Sequence, residues 1–127
     1  MMDRAEFEQL LRRLYLARVN GDVAGLCRIF AEDAQFRIAG SSDGKPIAIA
    51  ARGMIEVRAW LTVMVKTFRL SDQSVLSMLL DGEHAAVHWQ AKIHSRVTGA
   101  VVSTELVDLI KVRDTYITSY SEFFVPC

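Results

Sequence analysis

The chain has 127 residues, of which 51% are hydrophobic and 24% are charged, the composition of one ordinary globular domain. Its 15 basic residues balance its 15 acidic residues, so no overall field favours nucleic acid or an anionic membrane as a partner. Two cysteines make no disulfide framework, and no apolar segment has the pattern of a signal peptide or the length of a bilayer span. We therefore expect a single cytoplasmic domain over residues 1–127, with no nucleic-acid or membrane partner.

Two helices are predicted at the start of the chain. Asp3 and Glu6 have capping-box spacing, and the helix that follows should run to Asn20–Gly21, where glycine supplies a stop. Asp22 can cap a second, shorter helix. Glu32–Asp33 is expected to close that second helix.

The middle of the chain predicts two short strands and then a long helix. Ala34–Ile38 and Ile47–Ala51 read as strands, and Gly40–Pro46 between them is the clearest loop. Gly53 opens a third helix with one broad apolar face. The members of that face are Met54, Val57, Trp60, Leu61, Met64, Val65 and Phe68.

After residue 70 the hydrophobic period changes to two, which is typical of strands. Four strands are predicted, separated by short turns: Gln73–Leu80, Ala85–Val97, Val101–Val112 and Tyr116–Phe124. Helices followed by a meander indicate an α+β domain whose helices cover one face of a curved sheet. A cone-shaped apolar cavity between the two layers is the expected ligand site.

Asp108 is the sharpest chemical anomaly of the sequence, because it shares its strand parity with Leu106, Ile110 and Val112. An acid that points into an apolar interior has a raised pKa and can donate a hydrogen bond to a carbonyl. The last strand should add neighbours to Asp108 from its inward parity, expected to be Ser119, Ser121 and Phe123. The alternative is a structural acid that is bonded to a serine or a buried water.

Several short motifs occur in an order that resembles the NTF2-like superfamily, and within it the SnoaL-like and ketosteroid-isomerase-like small proteins. They are the runs 20–26 and 29–36, then Arg52–Gly53 and Asp81–Gly82 before a long strand. The resemblance implies a cone-shaped α+β barrel of the cystatin-like kind, with three N-terminal helices on a mostly antiparallel sheet. It also implies a pocket and dimerisation through the outer sheet face.

Ketosteroid isomerases hold the substrate oxygen with a first-helix tyrosine and a protonated aspartic acid, and a second aspartate moves the proton. When this chain is laid along that pattern by its Gly21–Asp22 motif, the base position falls on Ile38. The tyrosine position falls on Leu14, with Tyr15 next to it, and Asp108 alone matches. Ketosteroid isomerisation is therefore not expected, and Asp108 and Tyr15 are the catalytic candidates for any other reaction.

Apolar side chains of the predicted helices and strands are the ligand-binding candidates if the cavity is open, and otherwise they form the core. They are Phe36, Ile38, Trp60, Met64, Phe68, Trp89, Ala91, Ile93 and Leu106, together with Ser119, Ser121 and Phe123. His88 and His94 share a strand face about 20 Å apart, too far for one metal ion. We expect neither a metal nor a cofactor.

Two kinds of function remain open at this point. The first is binding of an apolar, carbonyl-bearing small molecule, with cofactor-free isomerase, cyclase or lyase chemistry at Asp108. The second is a non-catalytic dimerisation module, or an accessory subunit such as the small subunit of an aromatic-ring dioxygenase.

Overall fold

The computed structural model describes residues 2–42 and 45–126, which form three helices and six strands. The helices are α1 (Arg4–Asn20), α2 (Val23–Ile29) and α3 (Met54–Thr67). The strands are β1 (Phe30–Ser42), β2 (Lys45–Arg52), β3 (Phe68–Asp81), β4 (His84–Ser95), β5 (Val101–Arg113) and β6 (Tyr116–Pro126).

Helix α1 begins and ends where its capping residues predict. The Asp3 carboxylate accepts a hydrogen bond from the Glu6 backbone N–H at 2.8 Å, which satisfies one of the free donors of the first turn. Gly21 ends the helix with φ at 65°, in the left-handed region that favours glycine. Both predicted boundaries of the first helix are confirmed.

Helix α2 is capped as predicted but ends earlier in the chain than predicted. Asp22 accepts a hydrogen bond from the Gly25 backbone N–H at 2.9 Å, which confirms its capping role. The helix ends at Ile29, because Phe30 is already extended and begins β1. The prediction that Glu32–Asp33 closes this helix is wrong, since pairing with β6 starts at Phe30.

The predicted loop at Gly40–Pro46 is largely strand. Gly40 pairs with Ile47 and Ser41 with Pro46, so the β1–β2 ladder includes most of this segment. Of the predicted loop, residues 43–44 lie outside the described residues. The other strands also exceed their predicted bounds or match them within a few residues, because ladder pairing extends beyond the alternating stretches that the sequence reveals.

The six strands form one sheet in the order β2-β1-β6-β5-β4-β3. Only β1 and β6 are parallel; the other neighbouring pairs in the described sheet are antiparallel. Helix α3 contacts β2 and β3, the two opposite edges, so the sheet is strongly curved but not closed. This arrangement confirms the predicted α+β architecture, with a core between the helices and the inner sheet face.

Helix α3 buries less of its apolar face than its sequence predicts. Only Val57 and Leu61 are buried, whereas Trp60 is 36% exposed and Phe68 is 45% exposed. Met64 is half-buried and packs against the core. No helix in residues 2–42 and 45–126 combines the length and the apolar character needed to cross a membrane.

Candidate functional site

Asp108 lies on the inner face of β5, as its parity predicts. Buried and exposed residues alternate along this strand, with Leu106 and Ile110 buried on either side of Asp108. The Asp108 side chain is 0% exposed. Burial of a carboxyl group is costly unless its oxygens find hydrogen-bond partners, so those partners define the site.

One oxygen of the Asp108 carboxyl group accepts three hydrogen bonds. Tyr15 Oη donates to Oδ2 at 2.6 Å, Trp89 Nε1 at 2.8 Å and Tyr120 Oη at 2.7 Å. The other oxygen, Oδ1, is buried and has no hydrogen-bond partner among the described residues. The carboxyl group is thus fully bonded on one side and unpaired on the other.

The three donors come from three different elements. Tyr15 lies on α1, Trp89 on β4, and Tyr120 on β6, where it pairs with Ile110. The Tyr15 and Trp89 rings pack with centroids 5.4 Å apart, and Phe36 stacks on Tyr120 at 5.6 Å. This aromatic packing holds the donors around Oδ2.

A buried ion pair adjoins the donors. Arg18 Nη1 lies 3.0 Å from Glu122 Oε2 and Nη2 lies 3.2 Å from Oε1, a bidentate arrangement. Arg18 Nη1 also donates to Tyr120 Oη at 2.9 Å, and the guanidinium carbon lies 5.3 Å from the Trp89 ring centroid. Glu122 pairs directly with Asp108 across the β5–β6 ladder. One cation and two carboxyl groups therefore share the interior.

Burial and, to a smaller extent, the negative charge of Glu122 raise the pKa of Asp108 to about 8, although the Arg18 cation and the hydrogen bonds from Tyr15 and Tyr120 oppose this rise. Burial and the proximity of Asp108 also raise the pKa values of Tyr15 and Tyr120 above that of an ordinary tyrosine. Burial alone would lower the pKa of Arg18, but the Glu122 carboxylate raises it and keeps the guanidinium charged. At neutral pH the site accordingly holds a neutral Asp108 beside the Arg18–Glu122 ion pair.

The prediction for β6 is wrong in its parity. Ser119, Ser121 and Phe123 lie on the outer face, whereas Tyr120 and Glu122 point inward. Ile117 is buried, as the predicted parity requires. A register shift opposite Lys111 and Val112 then reverses the face toward which each later residue of β6 points. The neighbours of Asp108 on this strand are therefore a tyrosine and a glutamate.

Tyr15, and not Leu14, is the first-helix side chain that reaches Asp108, so the placement by the Gly21–Asp22 motif is one residue out for this position. Both residues are buried, because α1 packs a wide face on the sheet. Ile38, at the expected base position, is buried on β1 beside Glu122 in the β1–β6 ladder.

The remaining ligand-binding candidates divide by position. Five are buried on the inner side of the fold: Phe36, Ile38, Trp89, Ala91 and Leu106. Ile93 is half-buried on β4, Trp60 and Met64 lie on the partly exposed face of α3, and Phe68 follows that helix as the exposed first residue of β3. Only Trp89 among these nine donates a hydrogen bond to Asp108.

Two of the best-formed grooves in the described part of the chain have volumes of about 440 and 290 Å³, and Asp108 lines neither of them. The outward side chains of Leu79, Ala86 and Leu109 line the first groove, and those of Arg37 and Arg52 line the second. They share two residues of β6, Ser119 and Ser121. Both grooves thus involve the outer sheet face, and the expected open cavity beside Asp108 is not among them.

Within residues 2–42 and 45–126, no group of three or more histidine, cysteine, aspartate or glutamate side chains could hold a metal ion. The buried polar cluster instead offers hydrogen-bond donors and one ion pair. Such a set can bind and polarise an oxygen atom or move a proton.

Arg18, Tyr120 and Glu122 are the residues that the sequence-based prediction missed. Arg18 follows Leu11 and Tyr15 at intervals of seven and three residues, which places it on the buried face of α1. Glu122 is a second acid within an alternating strand, at the same kind of position as Asp108. Both signals were present, but the register shift in β6 concealed the second.

Comparison with protein families decides the relationship of this chain to known proteins, since the model of the SnoaL-like domain matches residues 11–120. The chain belongs to the SnoaL-like domain family. The SnoaL-like assignment agrees with the three helices and the curved sheet described above. A search of curated proteins finds no significant match.

Solved structures share the SnoaL-like fold over nearly the whole chain. An NTF2-like protein from Burkholderia xenovorans LB400 is 24% identical, with a TM-score of 0.80 over 98% of this chain and 93% of that one. A candidate isomerase from Bacillus subtilis is 20% identical, with a TM-score of 0.79 over 94% and 88%. An LEH-like epoxide hydrolase from M. tuberculosis is 15% identical, with a TM-score of 0.74 over 95% and 84%. These similarities establish the NTF2-like fold.

Proposed function

We propose that this SnoaL-like domain binds an apolar small molecule in its interior, through a carbonyl or similar oxygen that accepts a hydrogen bond from Asp108. The observation that carries the proposal is the unpaired Oδ1 of a fully buried carboxyl group. Three donors occupy Oδ2, so the proton of the neutral acid belongs on Oδ1. A buried donor without an acceptor costs free energy, which a ligand oxygen would recover.

The chemistry that fits this donor is cofactor-independent isomerase or lyase chemistry. A neutral Asp108 can polarise a carbonyl and give up its proton as negative charge develops on the ligand oxygen. Tyr15 then stabilises the resulting carboxylate through Oδ2. Two of the structures compared above carry enzyme names, isomerase and epoxide hydrolase, which supports an enzyme at the level of the fold alone.

Ligand entry requires the interior to open, because Asp108 is fully buried and lines neither of these grooves. Met54 and Met64 of α3 are half-buried and pack against the core. Methionine side chains are unbranched and repack at low cost, so the α3 side is the proposed route of entry.

The test uses 2-acetylnaphthalene, a flat uncharged ketone, in thermal-shift measurements at several pH values. We expect the ketone to stabilise the wild type by about 2.7 kcal/mol at a hundred times its Kd, and the shift to disappear above about pH 8, where Asp108 ionises. Asp108→Asn should retain the shift at high pH, because an amide keeps a donor and never ionises. Glu105→Gln, an acid-to-amide change on the exposed face of β5, should behave as the wild type. A shift that is absent at low pH, or equal on both sides of pH 8, would contradict the proposal.

A dimerisation module is the second candidate, and the outer sheet face favours it. Leu79, Val107 and Leu109 are exposed there, beside the grooves that surround Ser119 and Ser121. Exposed apolar groups on one sheet face are typical of a subunit interface. We propose a homodimer through this face, compatible with ligand binding inside the cone; a single domain over residues 1–127 and a cytoplasmic location stay predictions.

A further inference from the structure

Arg18 and Glu122 bring a complete ion pair into the interior beside Asp108. Two guanidinium nitrogens of Arg18 donate hydrogen bonds to the Glu122 carboxylate, at 3.0 and 3.2 Å. The Glu122 side chain is 2% exposed. A buried ion pair is often no more stabilising than apolar side chains of similar volume. The position of this pair next to an unpaired carboxyl oxygen therefore points to a role in the site.

The ion pair determines the direction of the hydrogen bonds. A guanidinium group can only donate, so Tyr120 Oη accepts from Arg18 at 2.9 Å. The single hydroxyl hydrogen of Tyr120 then points to Asp108 Oδ2, 2.7 Å away. Tyr15 donates to the same oxygen. A proton on Asp108 consequently has its place on Oδ1.

The ion pair also sets the charge balance. Among the described residues, five side chains from three elements are hydrogen-bonded to Asp108 or to its partners: Tyr15 and Arg18 of α1, Trp89 of β4, and Tyr120 and Glu122 of β6. The charges of Arg18 and Glu122 cancel. A neutral Asp108 therefore leaves the cluster without net charge, and Arg18 has no free charge to offer an anionic ligand.

We infer that Arg18 and Glu122 form a positioning pair that holds the proton of Asp108 on Oδ1 and reserves the site for an uncharged oxygen acceptor, such as a ketone, in preference to a carboxylate. The ligand class rests on the proposed function. The placement of the proton follows from the hydrogen bonds to Oδ2, and the charge balance that keeps Asp108 neutral can be tested without a ligand.

Titration of the Asp108 carboxyl carbon by NMR tests the charge balance, in the wild type and in Glu122→Gln. Glutamine keeps the size of the side chain and removes its charge, so Arg18 should draw Asp108 into its ionised form. We expect the midpoint to fall by roughly one to three pH units, whereas the surface control Glu105→Gln leaves it unchanged. An unchanged midpoint in Glu122→Gln would overturn the inference.

A double variant, Arg18→Met with Glu122→Met, provides a second test that does not depend on the folding of the single variant. It replaces the pair with apolar side chains of moderate size, so burial still favours a neutral Asp108. We expect its midpoint to stay at or above that of the wild type. A fall as large as that expected for Glu122→Gln would show that net charge is not what the pair controls.

The ligand class is tested with 2-acetylnaphthalene and its near-isosteric anion, 2-naphthoate, on the wild type at about pH 7. We expect the ketone to bind at least about tenfold more tightly than the carboxylate. Equal or tighter binding of 2-naphthoate overturns the ligand class. Binding of neither compound contradicts the proposed function, while the titrations still decide the role of the ion pair.

Discussion

Tyr15 on α1 and Asp108 on β5 are 93 positions apart in the chain, and a 2.6 Å hydrogen bond joins the hydroxyl of the first to Oδ2 of the second. This hydrogen bond connects α1 to β5 in the middle of the sheet. It also leaves the other carboxyl oxygen as the free side of the site. Stability and proposed ligand binding thus depend on the same pair of side chains.

Replacement of Tyr15 by phenylalanine should affect both stability and titration. The free energy of unfolding should fall by about 0.5–1.5 kcal/mol, the usual contribution of one hydrogen bond. The pKa of Asp108 should rise, because the Tyr15 hydrogen bond lowers it in the wild type. Denaturant unfolding and an NMR titration measure the two effects.

Tyr116→Phe is the matched control for this change, because Tyr116 is an exposed tyrosine at the start of β6. It should leave the free energy of unfolding and the pKa of Asp108 unaltered. Equal effects of the two tyrosine variants would mean that the Tyr15 hydroxyl has no particular part in the site.

Stability should decrease as the pH rises through the range set by Asp108. Its pKa is about 8 in the folded chain against an ordinary value of 3.8, so between these values the folded state binds more protons than the unfolded state. The contribution is therefore complete below about pH 4, decreases steadily as the pH rises above that value, and is lost once the pH passes about 8. Unfolding by urea across this range measures it.

Asp108→Asn should remove that part of the pH dependence, since asparagine does not titrate. Glu105→Gln on the exposed face of the same strand should keep it. If the wild type and Asp108→Asn lose stability in parallel between about pH 5 and 8, another group is responsible.

The proposed dimer can be tested at Leu109, which is 47% exposed on the outer sheet face and lines the larger groove. Leu109→Glu should convert a dimer into a monomer in analytical ultracentrifugation, because it places a charge in an apolar interface. Ile55→Glu, on α3 at 89% exposure, is the control and should stay dimeric. A monomeric wild type, or a dimeric Leu109→Glu, would exclude this interface.

The inward position of Asp108 could be predicted because alternation along β5 is uninterrupted from Thr104 to Val112. Helix starts could be predicted as well, since Asp3 and Asp22 carry local capping signals that need no tertiary information. These features depend on neighbouring residues in the chain. Local pattern is sufficient for them.

The partners of Asp108 on β6 could not be predicted, because one register shift reverses the parity of every residue after it. Ser119 and Tyr120 exchange faces as a result. The bond from Tyr15 and the packing of Arg18 on Trp89 depend on how α1 lies across the sheet. Contacts between residues that are distant in the chain are difficult to predict from a single sequence.

The partial exposure of the apolar face of α3 was not predicted either, for a different reason. This apolar face is broad, and the fold buries only Val57 and Leu61 of it. Trp60 and Phe68 are left at the margin. An apolar helix face in the sequence thus indicates which residues can be buried, but it does not determine how many of them are buried.

The protonation state of Asp108 in the wild-type chain is the central claim, and NMR titration of its carboxyl carbon tests it most directly. We expect one transition with a midpoint near pH 8, accompanied by a change in the Trp89 indole N–H resonance, because that group donates to the same carboxyl. A midpoint near the ordinary value of 3.8 would mean an ionised acid at neutral pH, with no proton on Oδ1 to offer a ligand.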